Sequence, residues 1–247
     1  MRDQQTLKPH HPAIAGQIST HWFDKKGWGR RNFSRYALPR TILRYLEVGS
    51  WEGASLFWTL HNLKPAHAIA VDPYMADSKR SRENNQAIGD KVERLWREHF
   101  PQVKGGLMRE PSEEALPRLL AEWGPRFDLV YIDGSHHGAD VLFDATVGSR
   151  LVKPGGLLIL DDFSAARRSN IQGLRYAADA FVRTQVDEFG LLTVNSQVVL
   201  QRRLERQNSP GQSAGVGGTI LEPGEYDHPA PRTERVTVMP DLQEGTA

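Results

Sequence analysis

The sequence predicts an α/β protein built on a doubly wound, mostly parallel sheet. Three observations predict it. From Tyr45 onward, short runs of branched apolar residues alternate with longer stretches of helical periodicity. Each early run is followed at once by glycine or a polar residue, as at Gly49, Asp72 and Asp133. The last two runs are joined too tightly for a helical crossover, so they must pair antiparallel.

In order, the strands are expected at 45–48, 68–71, a weaker one at 103–108, then 127–132 and 156–160. Between them, 54–63, 84–100, 112–123 and 138–152 have helical pattern, and Pro117 should bend or shorten the third of these. A further helix is expected at 170–188, followed by strands at 191–194 and 197–201 that turn through Asn195 and Ser196. Residues 205–247 carry eleven Gly and Pro, few large apolar side chains and a net negative charge, and are read as a flexible tail. The organisation is therefore an arm at 1–37, one domain at 38–204 and a tail at 205–247.

Composition narrows the chemistry. The 247 residues are 39% hydrophobic and 25% charged, ordinary values for a soluble globular chain. Without cysteine there is no disulfide framework, thiolate metal site or cysteine nucleophile. Residues 1–17 hold no apolar core of signal-peptide length, and no stretch approaches the roughly 20 apolar residues of a membrane span. The chain is read as cytoplasmic, with no membrane partner.

Net charge is +1, but residues 1–44 hold nine Lys and Arg against Asp3 and Asp24. Interleaved with them are Trp22, Phe23, Trp28, Phe33 and Tyr36. Cations with aromatics can hold single-stranded nucleic acid. The arm is read instead as a lid whose rings pack on the domain while its cationic heads stay in water.

The segment Tyr45-Leu46-Glu47-Val48-Gly49-Ser50-Trp51-Glu52-Gly53-Ala54-Ser55 runs from a buried strand through a glycine turn into a helix. Gly49 can turn the chain sharply and approach a ligand, and Gly53 can pack the helix on the strand. Asp72 ends the next strand, 23 residues after Gly49, close to the spacing of about 20 expected for a ribose-binding acid. Trp51 and Glu52 make the loop a poor place for pyrophosphate. A sulfonium nucleoside with an amino-acid tail carries no phosphate, and Glu47 offers a carboxylate to its ammonium.

Two more strands end in acid: 127–132 at Asp133, and 157–160 at Asp161 and Asp162. Parallel neighbours lie about 4.8 Å apart, so on adjacent strands these carboxylates meet at one edge. Converging carboxylates repel unless a cation intervenes, and all-oxygen donors favour a hard ion such as Mg²⁺. His136, three residues past Asp133, is the candidate base, mostly neutral at its unperturbed pKa of about 6.5. His137 faces solvent or starts the helix.

These residues resemble the class I S-adenosylmethionine-dependent methyltransferases, particularly their metal-dependent O-methyltransferase branch of catechol-type and antibiotic-sugar-tailoring enzymes. The resemblance spans 42–202 and is carried by Leu46 to Ser55, Val71-Asp72-Pro73, Tyr131 to His136, and Leu151-Val152-Lys153-Pro154-Gly155-Gly156 leading to Asp161-Asp162. It implies a Rossmann-like seven-stranded sheet with an antiparallel last strand. It also implies that Glu47, Gly49, Ser50, Trp51 and Ser55 surround the methionine part of S-adenosylmethionine, Asp72 holds its ribose, and Ser112 lies near adenine, with Gly53 in the same cofactor-binding loop. Asp133, Asp161 and Asp162 match metal positions, with Asp133 and His136 catalytic.

The implied activity is metal-assisted O-methylation of a hydroxylated small molecule, with a homo-oligomer compatible. Its rivals are an RNA methyltransferase that uses the basic arm and a non-catalytic nucleoside-binding module. Iron-dependent oxygenation is set aside, because the two-histidine, one-carboxylate set that suits iron is missing.

Overall fold

The computed structural model describes residues 14, 16–20, 23, 28–75, 81–163 and 172–204. The tail at 205–247, Trp22 and the side chain of Trp28 lie outside the described residues.

Seven strands form one sheet: β1 (Arg44–Val48), β2 (His67–Val71), β3 (Lys104–Met108), β4 (Phe127–Ile132), β5 (Val152–Leu160), β6 (Phe189–Val194) and β7 (Val198–Arg202). Their order is β3-β2-β1-β4-β5-β7-β6. All pairings are parallel except those of β7, which is antiparallel to both β5 and β6. This is the seven-stranded sheet with a reversed last strand that the sequence implied.

The helices are α1 (Trp28–Asn32), α2 (Ala54–Asn62), α3 (Arg82–His99), α4 (Ser112–Trp123), α5 (Gly138–Leu151) and α6 (Gln172–Thr184), with a π-helical turn at Phe33–Ala37 continuing α1. Ser81 caps α3 by accepting from the amide of Asn84. Pro117 neither stops nor shortens α4, which runs through it for 12 residues. The proline withholds one N–H from the helix ladder, and packing of the helix against α5, with Ala115, Leu116 and Leu119 buried, outweighs that loss.

Burial follows position in the sheet. The central β4 is buried at every residue, and β1 at every residue after Arg44. At the edge, β3 opens with one lysine and two glycines, which is why its sequence signal was weak. A side chain on Gly105 would place its Cβ 1.9 Å from the carbonyl oxygen of Ala68, so glycine lets β3 approach β2. The fifth strand begins four residues earlier than its apolar run, at Val152 rather than 156. Its register with β4 shifts between Phe127 and Leu129, where Pro154 and two glycines could not be read as strand.

The arm enters the core. Ile14, Ile18, Phe23, Phe33 and Ala37 are buried with Trp58 and Tyr131. Phe33 meets Tyr131 edge-on at a 5.0 Å centroid distance, and Phe23 lies 5.3 Å from Phe33. Arg31 and Arg35 stay exposed. Among the described residues, no helix is long and apolar enough to cross a membrane.

The chain leaves β1 toward β2 and β3 on one side, then crosses back through α4 to β4 on the other. That reversal opens a crevice at the carboxyl ends of β1 and β4, where α/β sheets hold ligands.

Candidate active site

The ladder continues past the strand ends and aligns the loops. Gly49 donates to the Val71 carbonyl at 2.8 Å, Asp133 to Val48 at 2.8 Å, and Asp161 to Ile132 at 2.9 Å. The residues expected to form the two halves of the site therefore meet at one rim.

Gly49 has φ +85°, and a Cβ there would lie 2.1 Å from the Asp133 carbonyl oxygen, so only glycine lets the loop pass β4. Gly53, also left-handed at φ +84°, caps α2. Asp72 holds the loop between them: Oδ2 accepts the Trp51 amide at 2.8 Å, and Oδ1 accepts the Tyr74 amide at 2.9 Å. Tyr74, which the sequence reading missed, is buried and donates its hydroxyl to the Trp51 carbonyl at 2.8 Å. Its hydroxyl also sits 3.2 Å from Ser50 Oγ.

Glu47 is fully buried. The hydroxyls of Tyr45 and Ser55 each donate to it at 2.5 Å, yet burial pushes its carboxyl up to about 7. Burial likewise raises Asp72, Asp133 and Asp161, and Asp161 and Asp162 push Asp133 up further.

Glu52 turns away from the crevice. Its carboxylate accepts the amide and hydroxyl of Ser19 at 2.7 and 2.8 Å and the amide of Thr20 at 3.1 Å, with Lys91 at 3.7 Å. Burial pushes this acid up, but the Ser19 contacts and Lys91 pull it below its ordinary value overall. The negative charge that the sequence argument set against a phosphate is thus engaged by the arm.

Because the folded state favours the ionised form, this anchor is present above the ordinary glutamate range and is lost as pH falls through the lowered value. Glu52→Ala is expected to destabilise the protein by about 1–3 kcal/mol. It should also strip hydrogen-exchange protection from the Ser19 and Thr20 amides, and unchanged protection there would refute the anchoring.

In the cluster, Tyr131 donates its hydroxyl toward Asp133 Oδ2 at 3.0 Å and also contacts Asp161 Oδ2. Asp161 further accepts from Gln197 Nε2 at 3.1 Å and, through Oδ1, from the Asp162 amide at 2.7 Å. Asp162 is left-handed at φ 57°, a conformation aspartate tolerates better than most residues.

His136 Nε2 lies 2.9 Å from Asp162 Oδ2, and that contact raises its pKa. The structure thus gives the imidazole a tighter hold on its proton than the unperturbed value used for the sequence. Asp133, His136 and Asp162 each offer a ligand atom within 4.8 Å of the others, whereas Asp161 is the member held by protein donors. His137 is exposed and precedes α5 as its N-cap residue. The apolar floor of the adjoining pocket comes from Ile132, Val141, Leu160 and Leu174.

Ser112 begins α4, where its hydroxyl donates to Glu113 Oε2 at 3.4 Å and lies near enough to Asp144 of α5 to draw that acid's pKa down. Asp144 is 1% exposed, its pKa is pushed up to about 6 by burial, and its Oδ1 has no hydrogen-bond partner among the described residues. An open acceptor therefore stands beside Ser112. Its signal was available: Asp144 occupies the apolar stripe of Val141, Ala145 and Gly148, where an acid is out of place. Tyr131 was legible too, since it shares a strand face with Asp133 two residues on.

The site can do two things chemically. Glu47, Asp72, Asp133 and Asp161 have no lysine or arginine ion pair among the described residues, so cationic ligands suit them. The His136–Asp162 pair can hold a proton at the pocket mouth.

Residues 46–163 match the family described as a methyltransferase domain. An uncharacterized protein, R132, of Acanthamoeba polyphaga mimivirus is 26% identical over 127 residues, 51% of this chain and 54% of its own length. Among solved structures, the MycE methyltransferase of the mycinamycin biosynthetic pathway, in complex with Mg and SAH, aligns at 18% identity and TM-score 0.52, covering 73% of this chain and 51% of that one. An O-methyltransferase from Bacillus cereus in complex with SAH aligns at 17% identity and TM-score 0.51, covering 77% and 86%. The chain spans about half the length of the curated relative and of the MycE protein. At these identities the structural likeness establishes the fold.

Proposed function

We propose, from a chain whose residues 46–163 carry a methyltransferase domain, that it transfers the methyl group of S-adenosylmethionine to a hydroxyl oxygen of a small molecule with the help of Mg²⁺. The observation that carries this reading is the set of carboxylates at one rim of the sheet, Glu47, Asp72, Asp133 and Asp161, without a lysine or arginine partner among the described residues, with Asp162 beside them paired only to His136. Two cationic groups satisfy it: the ammonium-bearing sulfonium near Glu47 and Asp72, and a divalent ion near Asp133, Asp161 and Asp162. The Mg and SAH of the MycE complex, and the SAH of the Bacillus cereus complex, support the same pair of ligands.

Glu47, with Ser50, Trp51 and Ser55 around the Gly49–Gly53 turn, would hold the amino-acid end of the nucleoside, Asp72 the ribose, and Ser112 with Asp144 the base. Asp133, Asp161 and Asp162 would hold the metal. Bound there, S-adenosylmethionine would supply an electrophilic methyl, and Mg²⁺ would stabilise the acceptor oxygen as its proton leaves. His136 takes that proton, and Asp162 orients the imidazole and stabilises its charged form. Asp162 has two oxygens, so one can serve His136 while the other faces the cation. Ile132, Val141, Leu160 and Leu174 would give the acceptor an apolar wall beside the carboxylates.

A screen of hydroxylated small molecules with methyl-labelled cofactor tests the reading. Label should move to an acceptor with Mg²⁺ present and stop on chelation. Full transfer after chelation would remove the metal from the reaction, and calorimetric cofactor binding with no transfer to any acceptor would leave a nucleoside-binding module. The RNA alternative loses its basis at Phe23 and Phe33, whose rings are buried in the core and unavailable for stacking on bases.

A further inference from the structure

Gln197 is fully buried just before β7, and the direction in which its amide faces is set by a donor that cannot be turned around. The backbone N–H of Gln197 donates at 3.0 Å to the side chain of Asn195, which makes the accepting atom Oδ1. Asn32 Nδ2 donates to that same oxygen at 3.0 Å, while Asn32 Oδ1 accepts from Asn195 Nδ2 at 3.2 Å. Asn32 Nδ2 also donates to Gln197 Oε1 at 2.9 Å. What remains of the Gln197 amide is its N–H, and it donates to Asp161 Oδ2 at 3.1 Å.

Asp161 is thereby held on both oxygens. Oδ2 accepts from Gln197 Nε2 and lies against the Tyr131 hydroxyl, whose one proton it shares with Asp133 Oδ2, and Oδ1 takes the Asp162 amide. A carboxylate has about four lone-pair positions, so one is left, on Oδ1. The residue type matters here. A lysine in place of Gln197 would neutralise Asp161 and repel a cation, and an apolar residue would leave the carboxylate held by Tyr131 and the Asp162 amide alone. A neutral amide donor orients the acid and leaves its charge in place.

We propose that Gln197 is a positioning residue for a divalent-cation site at Asp133, Asp161 and Asp162, and that Asn32 of the N-terminal arm sets the direction of its amide. The inference rests on the metal-assisted reading of the cluster. Through Asn32, which is 1% exposed, the arm contributes to the site itself as well as to the core.

Mn²⁺ titration of the full chain, following the free ion by electron paramagnetic resonance, tests it on wild type, Asp133→Asn, Gln197→Met and Asn32→Ala. Removing an outer partner of a ligating carboxylate costs about 10–100-fold in metal affinity, and Gln197→Met should fall in that range. Asn32→Ala leaves Gln197 in place but free to flip; it should show a smaller loss, and it keeps the test open if Gln197→Met does not fold. Calorimetric affinity for S-adenosylhomocysteine, measured in parallel, should stay unchanged in both.

If Gln197→Met and Asn32→Ala bind Mn²⁺ as tightly as wild type while Asp133→Asn does not, the positioning role is overturned and the metal reading stands. If wild type binds no more tightly than Asp133→Asn, the cation site fails and takes this inference with it.

Discussion

Asp133→Asn is expected to slow metal-dependent methyl transfer by about a thousandfold while making the ligand-free protein more stable at neutral pH. Both effects come from one crowded carboxylate. Asp133 is pushed well above the ordinary aspartate range by burial and by the charges of Asp161 and Asp162. Removing its charge relieves that repulsion, so the melting temperature should rise. The same change withdraws one of three acids from the cation.

Metal stabilisation of a reacting oxygen is worth several kcal/mol, and each 1.36 kcal/mol is tenfold in rate, so kcat/KM should fall by about a thousandfold. Affinity for S-adenosylhomocysteine should change little, because Glu47 and Asp72, the acids proposed to hold it, are left in place. Steady-state kinetics over a Mg²⁺ series, with a thermal melt beside it, reads both quantities. An Asp133→Asn enzyme that turns over like wild type removes the acid from the mechanism.

Glu47→Gln is expected to separate stability from binding in a pH-dependent way. The carboxyl stands at about 7 in the folded chain against an ordinary 4.5. Between those values the folded state keeps a proton that the unfolded state releases, so stability falls as pH rises through the window and levels off above about 7. At about 1.4 kcal/mol per pKa unit, the loss amounts to about 3 kcal/mol.

Glutamine keeps an acceptor for one of the two hydroxyls and offers the other an N–H to accept from, without the charge. The variant should therefore gain up to about 3 kcal/mol over wild type at pH 8 and almost nothing at pH 4.5. It should also bind S-adenosylhomocysteine at least about tenfold more weakly, since a buried charge facing an ammonium is lost. Urea unfolding at the two pH values and calorimetry at pH 8 decide the matter. Equal stability of the two proteins at pH 8 would show that Glu47 is not strained by its burial and has no need of a cationic ligand.

Much of this molecule could be read from short windows of sequence. The buried runs, the glycine turn at Gly49 and Gly53, the acids closing β2, β4 and β5, and the reversed final pair are all recorded within about ten residues, because strand period and turn chemistry are local. Where an element departs from that periodicity, as β5 does at Pro154, its start was misplaced. The rim itself was foreseeable, since parallel strands must present their ends together.

The partners of the charged groups were not foreseeable. Glu52 is satisfied by Ser19 from 33 positions away, and Gln197 takes its orientation from Asn32, 165 positions away. A buried polar atom accepts whichever donor the packing of distant segments brings to it, and no window of sequence contains both ends of such a bond. Composition and periodicity established the kind of protein and the acids of its site. Assembly of the arm, the final hairpin and the central strands determined how those acids are held.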